Sequence, residues 1–129
     1  MKKVLSVGQC NPDHSSLRNY FESNFDCEII RIDSTAEALA ELEKNSYDLV
    51  LVNRKLDIDY TDGTILVEEM QKNSKMKQIP IMLISNYPEY QKEAILLGAV
   101  PGIGKLEYGK ESAFQKVAKY LPPKTIKVG

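Results

Sequence analysis

The sequence predicts one α/β domain on a parallel sheet, and three observations predict it. Over 129 residues, five short apolar runs alternate strictly with five longer amphipathic stretches, the pattern of a parallel sheet with helices on both faces. The run Leu49, Val50, Leu51, Val52 is apolar at every position, as suits a strand covered on both sides. Right-handed crossovers between such strands make the fold doubly wound.

The elements follow in order. Residues 4–7 form the first strand. Asn11 and Pro12 offer a helix cap and a first-turn proline, and Leu17, Tyr20, Phe21 and Phe25 follow at helical spacing. Residues 27–32 form the second strand. Ser34 and Glu37 make a capping-box pattern ahead of Ala38, Leu39 and Leu42. Residues 48–52 form the third strand, and a polar loop over 54–62 leads to Gly63. Leu66, Val67 and Met70 mark the third helix. Residues 79–85 form the fourth strand. Pro88 starts the fourth helix, with Tyr90, Ala94 and Leu97 inward. Residues 100–104 form a short fifth strand, and Pro101 inside it, with no N–H to donate, points to a sheet edge. Phe114, Val117, Ala118 and Leu121 line one face of the last helix, which Pro122 and Pro123 stop. One domain thus spans residues 1–122, and 123–129 read as a loose tail or the start of a linker.

Composition narrows the function classes. The hydrophobic fraction of 43% is that of a globular domain. With 17 basic and 18 acidic residues the formal net charge is −1, which gives no footprint for nucleic acid or anionic lipid. No apolar run approaches the roughly 20 residues of a membrane span, and the apolar stretch after Met1, Lys2 and Lys3 is too short for a signal peptide. A cytoplasmic location is expected. Cys10 and Cys27 lie in no metal-binding spacing and are expected as free thiols.

Four groups of residues, in order along the chain, carry a family resemblance. They are Asp48 through Asn53 ending the third strand, Asp62-Gly63 opening the third helix, Pro80 through Ser85 on the fourth strand, and Gly98-Ala99 followed by Lys105. With these anchors the chain resembles a response-regulator receiver domain, of CheY-like type, from about Lys3 to Leu121. The resemblance implies a flavodoxin-like fold of strand order 2-1-3-4-5, with its site at the carboxyl ends of the strands.

It also implies what has been lost. A receiver is similar to a small Mg²⁺-assisted phosphotransferase, in which carboxylates after the first strand hold the metal and a lysine neutralises the phosphoryl group as it moves to an aspartate. Here Asn53 stands at the acceptor position, and an amide nitrogen is no nucleophile. Gly8 and Gln9 stand where the acidic pair would be, and Asn11 nearby is also neutral. Asp13, the nearest carboxylate, lies beyond Pro12. Ser85 matches the switch hydroxyl, or simply caps the next turn, and Lys105 matches the active-site lysine. Without carboxylate partners, Lys105 is expected to meet the Asn53 carbonyl or solvent. Gly102 replaces the switch aromatic, Leu106 replaces the proline after the lysine, and the loop from Asn53 to Gly63 is about two residues longer than the usual pattern.

The resemblance therefore implies a degenerate pseudo-receiver of two-component or phosphorelay signalling: no catalytic residue, no metal, no cofactor, and a protein-facing surface. That surface would run through Tyr87, Tyr90, Gln91, Glu107, Tyr108 and Lys119, with Tyr87, Tyr90 and Tyr108 as candidate interface residues. The expected partner is a histidine kinase, phosphotransfer or output protein, with homodimerisation through the same face as an option. The alternative is a divergent, active receiver that binds Mg²⁺ and is phosphorylated on a loop aspartate, Asp57 or Asp59. A different enzyme, using Cys10 at the first helix and His14 nearby, lacks the phosphatase, dinucleotide and P-loop motifs that would support it.

Overall fold

The computed structural model describes residues 1–124, and they form the expected architecture. Five strands, β1 (Lys2–Val7), β2 (Cys27–Ile32), β3 (Leu49–Asn53), β4 (Ile81–Ile84) and β5 (Val100–Ile103), make one sheet of order β2-β1-β3-β4-β5. Every pairing is parallel, with Leu5 opposite both Ile30 and Val50, and Val52 opposite Leu83. Four helices connect the strands, α1 (Asn11–Asn24), α2 (Thr35–Lys44), α3 (Thr64–Gln71) and α4 (Pro88–Leu96), and a fifth, α5 (Glu111–Ala118), follows β5. β5 is an edge strand, as Pro101 required.

Two apolar layers sandwich the sheet. Ala38 and Leu42 of α2, Leu66, Val67 and Met70 of α3, and Ala94 of α4 pack on Leu5, Val7, Val50, Val52 and Leu83. On the other face, Leu17, Tyr20 and Phe21 of α1 and Ala113 and Val117 of α5 pack on Val4, Leu49, Leu51, Met82 and Ile84. All four apolar residues of β3 are fully buried, which is why that strand shows no polar alternation.

Local signals held at one helix start and shifted at another. Ser34 Oγ accepts the Glu37 N–H at 3.2 Å, the capping bond expected there. At α1 the cap is Cys10, in extended conformation with no side-chain cap bond, and Asn11 is already helical. Asn11 is thus a first-turn residue, and the second position tolerates Pro12, which has no N–H, because an N–H there would lack an intrahelical partner in any case. The expected tail lies mostly outside the described residues. Of its first part, Pro123 bridges Phe25, and Lys124 N–H donates to Asn24 O at 2.9 Å, which ties both residues to the end of α1.

Candidate functional site

The carboxyl ends of β1, β3, β4 and β5 meet where the strand order reverses, the place at which open α/β sheets carry their sites. The residues gathered there divide into a closed corner beside β1 and an open cleft beside β4.

The closed corner is built by the long loop between β3 and α3. It is polar apart from Leu56, Ile58 and Tyr60, and it folds back on itself: Lys55 bridges Asp62, and Leu56 N–H donates to Thr61 O at 2.9 Å. This turns Leu56 inward, where it is fully buried. It lies against Gly8, whose φ is +81° and whose Cβ, if present, would lie 2.3 Å from Leu56 Cδ2. Asp57 N–H donates to Gly8 O at 3.0 Å and fastens the loop over the end of β1. Gln9 is 1% exposed, and neither polar atom of its side chain has a partner. An apolar side chain therefore fills the region where the resemblance would place a metal-holding acidic pair.

The loop carboxylates face local tasks. Asp59 accepts from both the N–H and the Oγ1 of Thr61, which holds its carboxyl below the ordinary range. Asp62 accepts from the N–H and Oγ1 of Thr64 and pairs with Arg54 at 3.3 Å. Asp57 is exposed.

The open cleft, about 160 Å³, is lined by Asn53, Arg54, Ile84, Ser85, Asn86, Tyr87, Tyr90 and Lys105. The structure thus brings Asn53, Ser85 and Lys105 together as expected, and each is engaged. Asn53 Nδ2 donates to Lys55 O at 2.7 Å. Ser85 Oγ accepts the Tyr87 N–H at 3.2 Å, a cap on the turn into α4. Lys105 departs from expectation: its ammonium pairs with the Asp13 carboxylate, not with Asn53. Partial burial favours the neutral acid at Asp13, but hydrogen bonds from Lys105 and Cys10 and the Lys105 charge outweigh it and hold that carboxyl below its usual value. A carboxylate from the first turn of α1 thus serves as the lysine's counter-ion.

Among the candidate interface tyrosines, Tyr87 is exposed and its ring meets Tyr90 edge-on at 5.6 Å. Tyr90 is half-buried beneath the Arg54 guanidinium, 4.2 Å from the ring centre. Tyr108 is half-buried and turns partly inward. Its ring stacks on Tyr20 at 4.7 Å beside the α1–α5 core, and burial, with the Asp13 charge nearby, pushes its hydroxyl pKa up. The aromatic body is better satisfied against Tyr20 than in water. Gln91 and Glu107 also turn to internal partners. Gln91 bonds backbone groups of β4 and β5, and Glu107 accepts from Ser112 Oγ at 2.8 Å and pairs with Lys116 at 3.2 Å. Leu106 follows a trans peptide, and its N–H, which a proline would lack, donates to Asn86 Oδ1 at 3.0 Å.

Sequence reasoning missed Leu56, Arg54 and Asn86. Leu56 left a signal, an apolar residue early in an over-long polar loop. Arg54 and Asn86 left none, because their roles depend on contacts with Tyr90 and Leu106 that only the fold creates.

No family model matches this sequence, and no curated protein does. Solved structures match over most of the chain. One from Chloroflexus aurantiacus, assigned as a response regulator, is 19% identical with a TM-score of 0.80, over 92% of this chain and 96% of its own. The receiver domain of the Francisella response regulator 1452 is 20% identical with a TM-score of 0.75, over 93% and 97%. Chemotaxis protein CheY4 of Vibrio cholerae is 20% identical with a TM-score of 0.71, over 92% and 97%. At these identities the likeness is one of fold: the chain has the flavodoxin-like fold of response-regulator receivers. Among the described residues, no helix is long and apolar enough to cross a membrane.

Proposed function

We propose that this protein is a receiver-type module of two-component signalling that takes up no phosphate and works by binding another protein. It performs no catalysis and needs no Mg²⁺ or other cofactor. The observation that carries this reading is the closed corner. Mg²⁺ needs charged oxygens to offset its dehydration, and Leu56 packed on Gly8 leaves an apolar wall where they would stand. Asn53 removes the acceptor, and Asp13 neutralises the lysine that would otherwise meet a phosphoryl group.

What remains is a surface beside the cleft. Exposed Tyr87 and Leu106 flank it, and tyrosine is favoured where one side of a ring is buried and the other meets a partner. The partner is a histidine kinase, a phosphotransfer protein, an output protein or a second copy of this chain, in the cytoplasm. The test is incubation with radiolabelled acetyl phosphate and Mg²⁺, for the wild type and for Asn53→Asp. Neither protein is expected to take up label, because restoring the acceptor does not restore the metal site. Stoichiometric labelling of Asn53→Asp contradicts the account of the closed corner. Labelling of the wild type at Asp57 or Asp59 makes it an active receiver.

A further inference from the structure

Pro101 brings no N–H to the β4–β5 ladder, and the pairing shifts around it. Met82 faces Val100 and Ile84 faces Ile103, so Pro101 and Gly102 together lie opposite Leu83. Such a bulge leaves backbone polar groups that must find other partners when buried. Here the side chain of Gln91, from the first half of α4, meets them. Its Nε2 donates to Leu83 O at 2.9 Å and to Ser85 O at 3.1 Å, and its Oε1 accepts the Gly102 N–H at 3.1 Å. Both amide hydrogens and the carbonyl oxygen are engaged, which fixes the orientation of the amide. Gly102 makes this possible: a Cβ there would lie 2.2 Å from Leu83 O and 2.8 Å from Gln91 Oε1. A side chain at 102 and the Gln91 amide compete for one space.

We infer that Gln91 is a conformational clamp: its amide ties α4 to both β4 and β5, and to the Ser85 carbonyl at the cleft, and holds the α4–β5 face in one arrangement. Movement of α4 away from the paired β4 and β5 strands breaks all three bonds at once and leaves Gly102 N–H and the Leu83 and Ser85 carbonyls to find new partners. Intermediate positions are therefore disfavoured, as in a two-state element. The clamp stands on these hydrogen bonds alone; its value for presenting a fixed docking face rests on the interaction-module reading.

The experiment is amide hydrogen exchange and NMR relaxation dispersion on the full chain, comparing wild type with Gln91→Met, which keeps the volume and loses the hydrogen bonds. In the wild type, the Gly102 amide is expected to be protected, and residues 87–104 to show no μs–ms exchange. In Gln91→Met, the Gly102 amide is expected to exchange at least about tenfold faster, with line broadening in α4 and β5 and none in β1, β2 or β3. Unchanged Gly102 protection in the variant overturns the clamp, as does broadening across α4 and β5 in the wild type. Gln91→Glu gives a second reading. It loses both donated bonds, so the same broadening in α4 is expected, and a quiet α4 overturns the clamp. These outcomes are separable from the acetyl phosphate test: label uptake with the clamp signature intact removes the module reading alone, and a failed clamp without label uptake removes only the clamp.

Discussion

At the end of β1 a leucine from a neighbouring loop lies on a glycine, and the glutamine beside that glycine is sealed from water. At the ends of β3, β4 and β5, a serine, a lysine, two asparagines and two tyrosines line an open cleft. The two regions lie on one edge of one sheet and are shaped by the same fold, yet one is packed like a core and the other like a surface. The difference teaches where a metal-assisted phosphoryl site would be hardest to build. A missing carboxylate is a single substitution, but a corner filled by Leu56 is a packing arrangement. Reopening it removes apolar burial worth about 2 kcal/mol and must also satisfy Gly8 at φ +81°. The open side has no such barrier, and its residues have local partners: Ser85 caps a turn and Lys105 pairs with Asp13.

Substitutions can break or sharpen this contrast. The largest effect is expected at the closed corner. Leu56→Ala should cost about 3 kcal/mol in chemical denaturation, as for other fully buried leucines. Gly8→Asp should cost a similar ~3 kcal/mol, from positive φ and overpacking together. A loss under about 1 kcal/mol in both would mean the corner is pliable and the contrast false. At the open side, Asp13→Asn should cost only about 0.5–1 kcal/mol at neutral pH, since both partners of its ion pair are roughly one-third exposed. The sign of the pH dependence follows from the lowered Asp13 pKa. Its stabilisation is fully present above the unfolded value of about 4 and is lost as pH falls through the lower folded value. Urea midpoints of wild type and Asp13→Asn should therefore converge in acid. The smallest effect is expected at Tyr108→Phe. The hydroxyl is buried without a partner, so its removal should be neutral or stabilising by up to about 1 kcal/mol in thermal unfolding.

Much of the fold was legible in the sequence because its signals are local or periodic. The apolar run of β3, the Ser34 cap and Pro101 at the edge each state their place without knowledge of the rest. The membership of the cleft was legible too, through the positions of Asn53, Ser85 and Lys105. What was not legible were the partners. Asp13 and Lys105 are 92 residues apart, and the carboxylate comes from a helix turn rather than from the strand end. The resemblance places Tyr108 on the protein-facing surface, and nothing in its local sequence signals the stacking partner that Tyr20, 88 residues earlier on α1, provides. Gln91 reads as an ordinary exposed helix residue until the bulge at Pro101 creates backbone groups for it to satisfy.

The central claim, that this site cannot hold a metal-bound phosphoryl group, is tested most directly by titrating the wild-type protein with beryllofluoride and Mg²⁺ while following amide chemical shifts. The account predicts no saturable change at Asn53, Ser85, Lys105 or the loop carrying Asp57 and Asp59. Saturable shifts centred on any of these would contradict it and show that the closed corner opens to a metal after all.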